Sequence, residues 1–179
     1  MSRDFKIAIS GKSGCGNTTV SRMLAQALDI QFINFTFRSL AAEHGIDLPK
    51  VLELAASDDY WDREVDRRQV MLARESVGCV LGSRLAIWML PEADLKVFLT
   101  ADAKTRAKRI IAREGESAES AITFTEERDR QDHNRYLKIY GIDNDKYEFA
   151  DLIINTENLS PDEITGIIIA KIKEKSIGN

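Results

Sequence analysis

Between a short apolar run, Phe5 to Ser10, and a segment with helical periodicity lies the glycine-rich stretch Gly11-Lys12-Ser13-Gly14-Cys15-Gly16-Asn17-Thr18. The helical segment is Asn17 to Leu28, where Val20, Met23, Leu24, Ala27 and Leu28 recur at i, i+3, i+4, i+7 and i+8. A glycine turn leading from strand to helix at the spacing Gly11-x4-Gly16-x-Thr18 is that of a P-loop, with Asn17 where a lysine is expected. It is not the dinucleotide fingerprint, which spaces its glycines differently. Glycines let backbone wrap an anion without Cβ clashes. The helix start offers unpaired N–H groups and the positive end of a dipole. The Thr18 hydroxyl is placed to ligate Mg²⁺. Asn17 can donate a hydrogen bond but brings no charge. Lys12 either substitutes for the missing lysine or is a solvated surface residue. Cys15 is small enough for the loop, and a redox role is not expected.

Such a loop belongs at the carboxyl end of a strand in a parallel sheet, and the rest of the chain fits. Further strands are expected at Gln31–Phe35, Cys79–Leu81, Leu95–Leu99 and Leu152–Ile154. Helices are expected at Thr36–His44, Leu48–Ala56, Tyr60–Glu75, Ala103–Glu114 and Phe124–Tyr140, with Gly115–Ala121 a loop. In Ala103–Glu114, Ala103, Ala107, Ile110 and Ile111 are expected to face inward. Ser160-Pro161-Asp162-Glu163 is a capping box opening a helix that carries Ile164, Ile167, Ile168 and Ile172. Short, continuously apolar strands alternating with helices predict an α/β fold, a parallel sheet covered on both faces. Two polar, Arg-rich segments, about 34–76 and 115–145, break the alternation. They read as insertions over the carboxyl end of the sheet, where ligands bind in open α/β folds.

Charge narrows the function. The net charge is −4, against a general nucleic-acid binder. No apolar run approaches the roughly 20 residues of a membrane span, and the first residues lack a signal-peptide pattern, so the expected location is cytoplasmic. Cys15 and Cys79 form neither a disulfide framework nor a zinc motif. Fourteen of the 25 basic residues are Arg, with Arg106, Arg109, Arg113, Arg128, Arg130 and Arg135 close together in sequence. That is either planar recognition of phosphates or helix surfaces laced with ion pairs. Arg128, Asp132 and Arg135 share a face of the 124–140 helix, so Asp132 could hold both guanidinium groups. Asp62, Asp66 and Gln69 share a face of another helix, which either reads a ligand or is solvated. Trp61 and Trp88 read as packing residues, and His44 and His133 as having no metal or catalytic part.

With the loop in place, the chain resembles the cytidylate kinases, in particular their compact, largely archaeal-type branch. The resemblance rests on an ordered set running nearly the whole length: Gly11 to Thr19, Asp62-Arg63-Glu64-Val65-Asp66-Arg67-Arg68-Gln69, Ser83-Arg84-Leu85-Ala86-Ile87-Trp88-Met89 and Ala112-Arg113-Glu114-Gly115. It continues with Arg128-Asp129-x-x-Asp132-x-x-Arg135-Tyr136, Tyr140-Gly141-Ile142-Asp143 and Ala150-Asp151-Leu152-Ile153-Ile154-Asn155-Thr156. In that branch the loop lysine is sometimes replaced. The resemblance implies a P-loop core with a monophosphate-binding insertion and a helical lid in a single domain. It implies transfer of the ATP γ-phosphoryl group to CMP, and to dCMP, with Mg²⁺, by a monomer without nucleic-acid or membrane partners.

On this resemblance Gly11, Lys12, Ser13, Gly14, Cys15, Gly16, Asn17, Thr18, Thr19 and Arg113 form the ATP side. Arg38, Asp62, Asp66, Arg84 and Asp132 form the CMP side. Arg128 and Arg135 clamp the transferring phosphoryl group, with Thr18 on the metal. Relatives often carry an acidic residue where this chain has Gly82, so Mg²⁺ would rest on Thr18, phosphate oxygens and water. Two other readings stand beside it: a small P-loop kinase for AMP, UMP or a non-nucleotide such as shikimate, and a nucleotide-binding protein that has lost catalysis with its loop lysine.

Overall fold

The structure, a computed structural model, describes residues 4–114 and 118–177. The elements run β1 (Lys6–Gly11), α1 (Asn17–Leu28), β2 (Gln31–Ile33), α2 (Phe37–His44), α3 (Leu48–Ser57), α4 (Tyr60–Glu75) and β3 (Cys79–Gly82). They continue with α5 (Ala86–Met89), β4 (Leu95–Thr100), α6 (Ala103–Glu114), α7 (Ala118–Tyr140), β5 (Leu152–Asn155) and α8 (Pro161–Ile177). The strands form one sheet in the order β2-β3-β1-β4-β5, every pair parallel. β1 is central, with Ile9 opposite Gly82 of β3 and Gly11 opposite Leu99 of β4. The loop after β1 therefore emerges from the middle of the sheet.

Alternation along β1 splits the core. Ile7 and Ile9 join Val20, Leu24, Ile164, Ile168 and Ile172 beneath α1 and α8. Ala8 joins Leu81, Ala86, Ile87, Leu90 and Phe98 on the other face. A smaller cluster of Phe35, Leu40 and Val65 belongs to α2 and α4, so this excursion from the sheet carries apolar packing of its own.

Two expectations, the loop before α7 and cover on both faces of the whole sheet, need correction. α7 starts at Ala118, inside the stretch read as a loop. Ala121 and Thr125 are fully buried and Thr125 Oγ1 donates to the Ala121 carbonyl at 2.7 Å. Ala121, the last residue of that stretch, is packed inside the helix face rather than marking a turn. Ile167 is 39% exposed, because the buried seam of α8 is Ile164, Ile168 and Ile172. Ile153 is also exposed, since β5 is an edge strand without cover on both faces. The α8 capping box forms: Ser160 N donates to Glu163 Oε2 at 2.8 Å, and Glu163 N to Ser160 Oγ at 3.3 Å. Among the described residues no helix is long and apolar enough to cross a membrane.

Candidate active site

Helix α1 opens from Gly16 with no side chain capping its first turn. By contrast, α2 is capped by Thr36 and α3 by Asp47. Gly14 and Gly16 take φ of 86° and 93°, values that strain any residue with a Cβ. At Gly14 a Cβ would also stand 2.8 Å from the Arg106 carbonyl. The loop carbonyls are bonded from α6 and the segment after β5. Arg106 Nη1 donates to Ser13 O at 3.2 Å, Arg109 Nη1 to Gly14 O at 3.3 Å, and Thr156 Oγ1 contacts Cys15 O at 3.3 Å. With these acceptors held, the loop's remaining N–H groups are available to an anion. One is spent internally, from Cys15 N to Lys12 O at 3.1 Å. The Cys15 side chain is buried, and burial pushes its thiol up to about 11, so it stays protonated and unreactive.

Asn17 does not act as expected. Both protons of its amide are committed, to Ile9 O and to Ser83 O, each at 3.1 Å, and its Oδ1 accepts from Ser21 Oγ at 3.0 Å. No side-chain donor remains for a phosphate. Lys12 Nζ lies 2.7 Å from Asp145 Oδ1, on the segment after α7. Thr18 is exposed at the start of α1 and lines the cleft.

The loop forms one wall of a cleft of about 400 Å³, the size of a small-molecule site. The opposite wall comes from α4 and the end of β2, through Phe35, Phe37, Asp62, Val65, Asp66 and Gln69. Arg84, Arg128, Arg135 and Tyr136 also line it. Four charges alternate across it. Arg135 Nε stands 3.5 Å from Asp62 Oδ1, Arg135 Nη2 donates to Asp132 Oδ1 at 2.7 Å, and Arg84 Nε lies 3.1 Å from Asp132 Oδ2. Asp132 thus links Arg135 to Arg84, a partner from beyond β3 that helix spacing could not nominate. The Arg135 Nε atom is buried and has no hydrogen-bond partner. A desolvated guanidinium N–H of this kind is suited to a phosphate oxygen.

On the α4 wall the acidic face is buried, not solvated. Asp62 is 8% exposed, and its burial raises the carboxyl pKa against the pull of Arg135. Asp66 Oδ2 accepts from the Tyr140 hydroxyl at 2.6 Å, and burial pushes the Asp66 carboxyl up to about 6. Gln69 Nε2 donates to Phe35 O at 2.7 Å. The wall therefore offers apolar rings and a few fixed polar groups.

Of the remaining candidates, Arg38 falls outside the cleft lining. Arg38 is exposed on α2, because the Thr36 cap aims Leu40 inward instead. The Arg113 side chain lies outside the described residues. His44 packs edge-on to Trp61, and Trp88 to Phe98, so both indoles are packing residues. His133 Nδ1 faces Asn144 Oδ1 at 3.0 Å, beside Asp143 and Asp145. Those two carboxylates are paired with Lys146 and Lys12.

Sequence reasoning missed Tyr140 and Tyr136, read only as motif letters, and the supports Arg106, Arg109 and Thr156. Arg106 is 5% exposed and clamps Asp129 of α7 through two bonds of 3.1 and 2.6 Å. The clustering of Arg106 and Arg109 in sequence did not show what they meet.

Known proteins resemble this chain in sequence and in fold. The Cytidylate kinase-like family matches residues 6–158. A protein named Cytidylate kinase 2 from Borreliella burgdorferi is 44% identical over 97% of this chain and 98% of its own. A Cytidylate kinase from Pyrococcus horikoshii is 39% identical over 96% of each chain. Among solved structures, a shikimate kinase from Acinetobacter baumannii in complex with shikimate superposes with a TM-score of 0.67 at 16% identity, over 97% of this chain and 95% of that one. That likeness concerns the fold. The full-length sequence matches concern descent, and by them the chain belongs to the cytidylate kinase-like family.

Proposed function

We propose that the chain transfers the γ-phosphoryl group of ATP to CMP, and to dCMP, giving ADP and the diphosphate. The observation that carries this is the shared cleft. The uncapped loop and the α4 wall face one space, with Arg84, Arg128 and Arg135 lining it. Phosphoryl transfer needs positioning and positive charge around the moving group. The loop amides hold the donor phosphates, and Arg113 serves the ATP end. The α4 wall receives the acceptor, with Asp62, Asp66 and Gln69 near the base. Arg128 and Arg135 of α7, the lid helix, face the transferring group, and Asp132 fixes Arg135 in place. The acceptor's phosphate oxygen is already anionic near neutral pH, so no general base is required.

Mg²⁺ fits the donor set present. The Thr18 hydroxyl is an exposed hard oxygen at the loop edge, with no other hydrogen bond among the described residues. Gly82 supplies no carboxylate, so phosphate oxygens and water would complete the shell. When bound, the ion neutralises phosphate charge.

Cytosine offers an N4 amine donor with N3 and O2 acceptors, whereas uracil reverses the first two. Fixed polar groups then discriminate, because the wrong base leaves them unpaired. The test is kcat/KM for CMP, UMP, AMP and GMP at fixed ATP–Mg²⁺. CMP is expected first, then UMP, with both purines far behind. AMP used as well as CMP would overturn the cytidylate reading. ATP binding without turnover of any monophosphate would leave only a nucleotide-binding protein.

A further inference from the structure

We propose that Asn17 is a strut rather than a phosphate ligand, and that Arg84, on the segment this strut holds, supplies the charge a loop lysine would otherwise bring. The inference rests on Gly11–Thr19 being the ATP site.

The first part follows from hydrogen-bond capacity. An amide has two N–H donors, and both of Asn17's are spent on the carbonyls of Ile9 and Ser83. Ile9 lies in the last half of β1 and Ser83 just after β3, so one side chain pins the start of α1 to two adjacent strands near their carboxyl ends. The join is tight. Ser83 N donates to Ile9 O at 3.2 Å. A Cβ at Gly82 would sit 2.5 Å from Ser21 Oγ and 3.2 Å from Asn17 Oδ1. Gly82, Asn17 and Ser21 therefore fill one space together, which leaves no room for an acidic side chain there.

Arg84 is the next residue but one. The strut holds the carbonyl of Ser83, and the Arg84 side chain lines the cleft beside Gly11 and Lys12. Asp132 is the single carboxylate between Arg84 and Arg135. Arg135 also faces Asp62, so Asp132 is shared and Arg84 stands at the end of this chain of charges. The other nearby cations are engaged elsewhere. Lys12 is paired with Asp145, while Arg106 and Arg109 hold the loop's carbonyls. Arg128 and Arg135 ride on α7, whereas Arg84 is fixed to the sheet's carboxyl edge. Charge held on a rigid edge is preorganised, which is what transition-state stabilisation requires.

The test is a cycle at positions 17 and 84, read with ligand binding. R84A should lower kcat on the order of 10²-fold, as for loss of one preorganised donor. N17K alone should give no gain, because the charge is already present and the strut is lost. N17K placed in R84A should raise kcat at least about ten-fold above R84A, which a purely structural role for either residue would not produce. Calorimetric titration without CMP keeps the question decidable if the double variant fails to fold. R84A should weaken ATP–Mg²⁺ severalfold and leave ADP–Mg²⁺ unchanged. A folded double variant with no gain over R84A overturns the proposal. So does a rise in KM for CMP alone, equal loss of ATP and ADP binding, or a larger kcat loss in K12A than in R84A. Wild type that binds neither nucleotide overturns the ATP-site reading as well.

Discussion

Asp66 shows how a residue can oppose the fold it serves. Burial and the nearby Asp62 raise its carboxyl from the ordinary 3.8 to about 6, while the Tyr140 hydroxyl and Arg135 pull it down. Between those values the folded protein holds a proton that the unfolded chain has lost. Its contribution to stability is therefore favourable at acid pH, falls as pH rises through about 4 to about 6, and stays lost above. Asp66→Asn keeps an acceptor for Tyr140 and removes the ionisation. The melting temperature of Asp66→Asn minus that of wild type should grow more positive from about pH 4 to about pH 7. A difference constant across that window would show that Asp66 does not titrate there. The helical spacing of Asp62, Asp66 and Gln69 made their common face legible. Its burial was not, because the α7 residues that cover it, Arg135 and Tyr140, lie some seventy positions away in sequence.

At the scale of elements, the loop is shaped as much from behind as from within. Arg106 joins three elements: its guanidinium takes Ala101 O and Ser13 O and clamps Asp129 of α7. The pair is nearly dry, with side chains 6% and 14% exposed. Removing one partner of a buried pair strands the other charge, at a cost of about 3–5 kcal/mol. Asp129→Ala should lose about that much in urea unfolding and also weaken ATP, since Arg106 then no longer fixes Ser13 O. A loss below about 1 kcal/mol, the range of exposed pairs, would mean the clamp is open to solvent. The sheet and most helices were legible because strands and helices write their periods locally. The start of α7 was not, because a stretch of small polar residues serves loops and close helix packing equally. Nor was the work of Arg106 and Arg109, which depends on a loop that lies far upstream in the chain.

Across the whole molecule, α7 touches both halves of the cleft. At its middle, Asp129 is clamped to Arg106, which holds the loop. Toward its end, Tyr140 meets Asp66, Lys138 meets Asp59, and the Ile139 carbonyl takes Arg63 Nη2 at 2.7 Å. These contacts to α4 are hydrogen bonds and an ion pair, which can yield and reform as the cleft fills. Ligands bound on either side should then help each other through α7. A ligand at 100 times its Kd stabilises a fold by about 2.7 kcal/mol, worth about 5–10 °C in a domain of this size. ATP–Mg²⁺ alone should raise the melting temperature by that order, and ATP–Mg²⁺ with CMP by more than the sum of the separate shifts. Tyr140→Phe deletes the hydroxyl that joins α7 to Asp66 while keeping the ring over Arg63. The excess over additivity should shrink in that variant, with the ATP shift unchanged. If the excess is the same in both proteins, the Tyr140–Asp66 bond does not carry the coupling, and the two halves of the cleft communicate by another route.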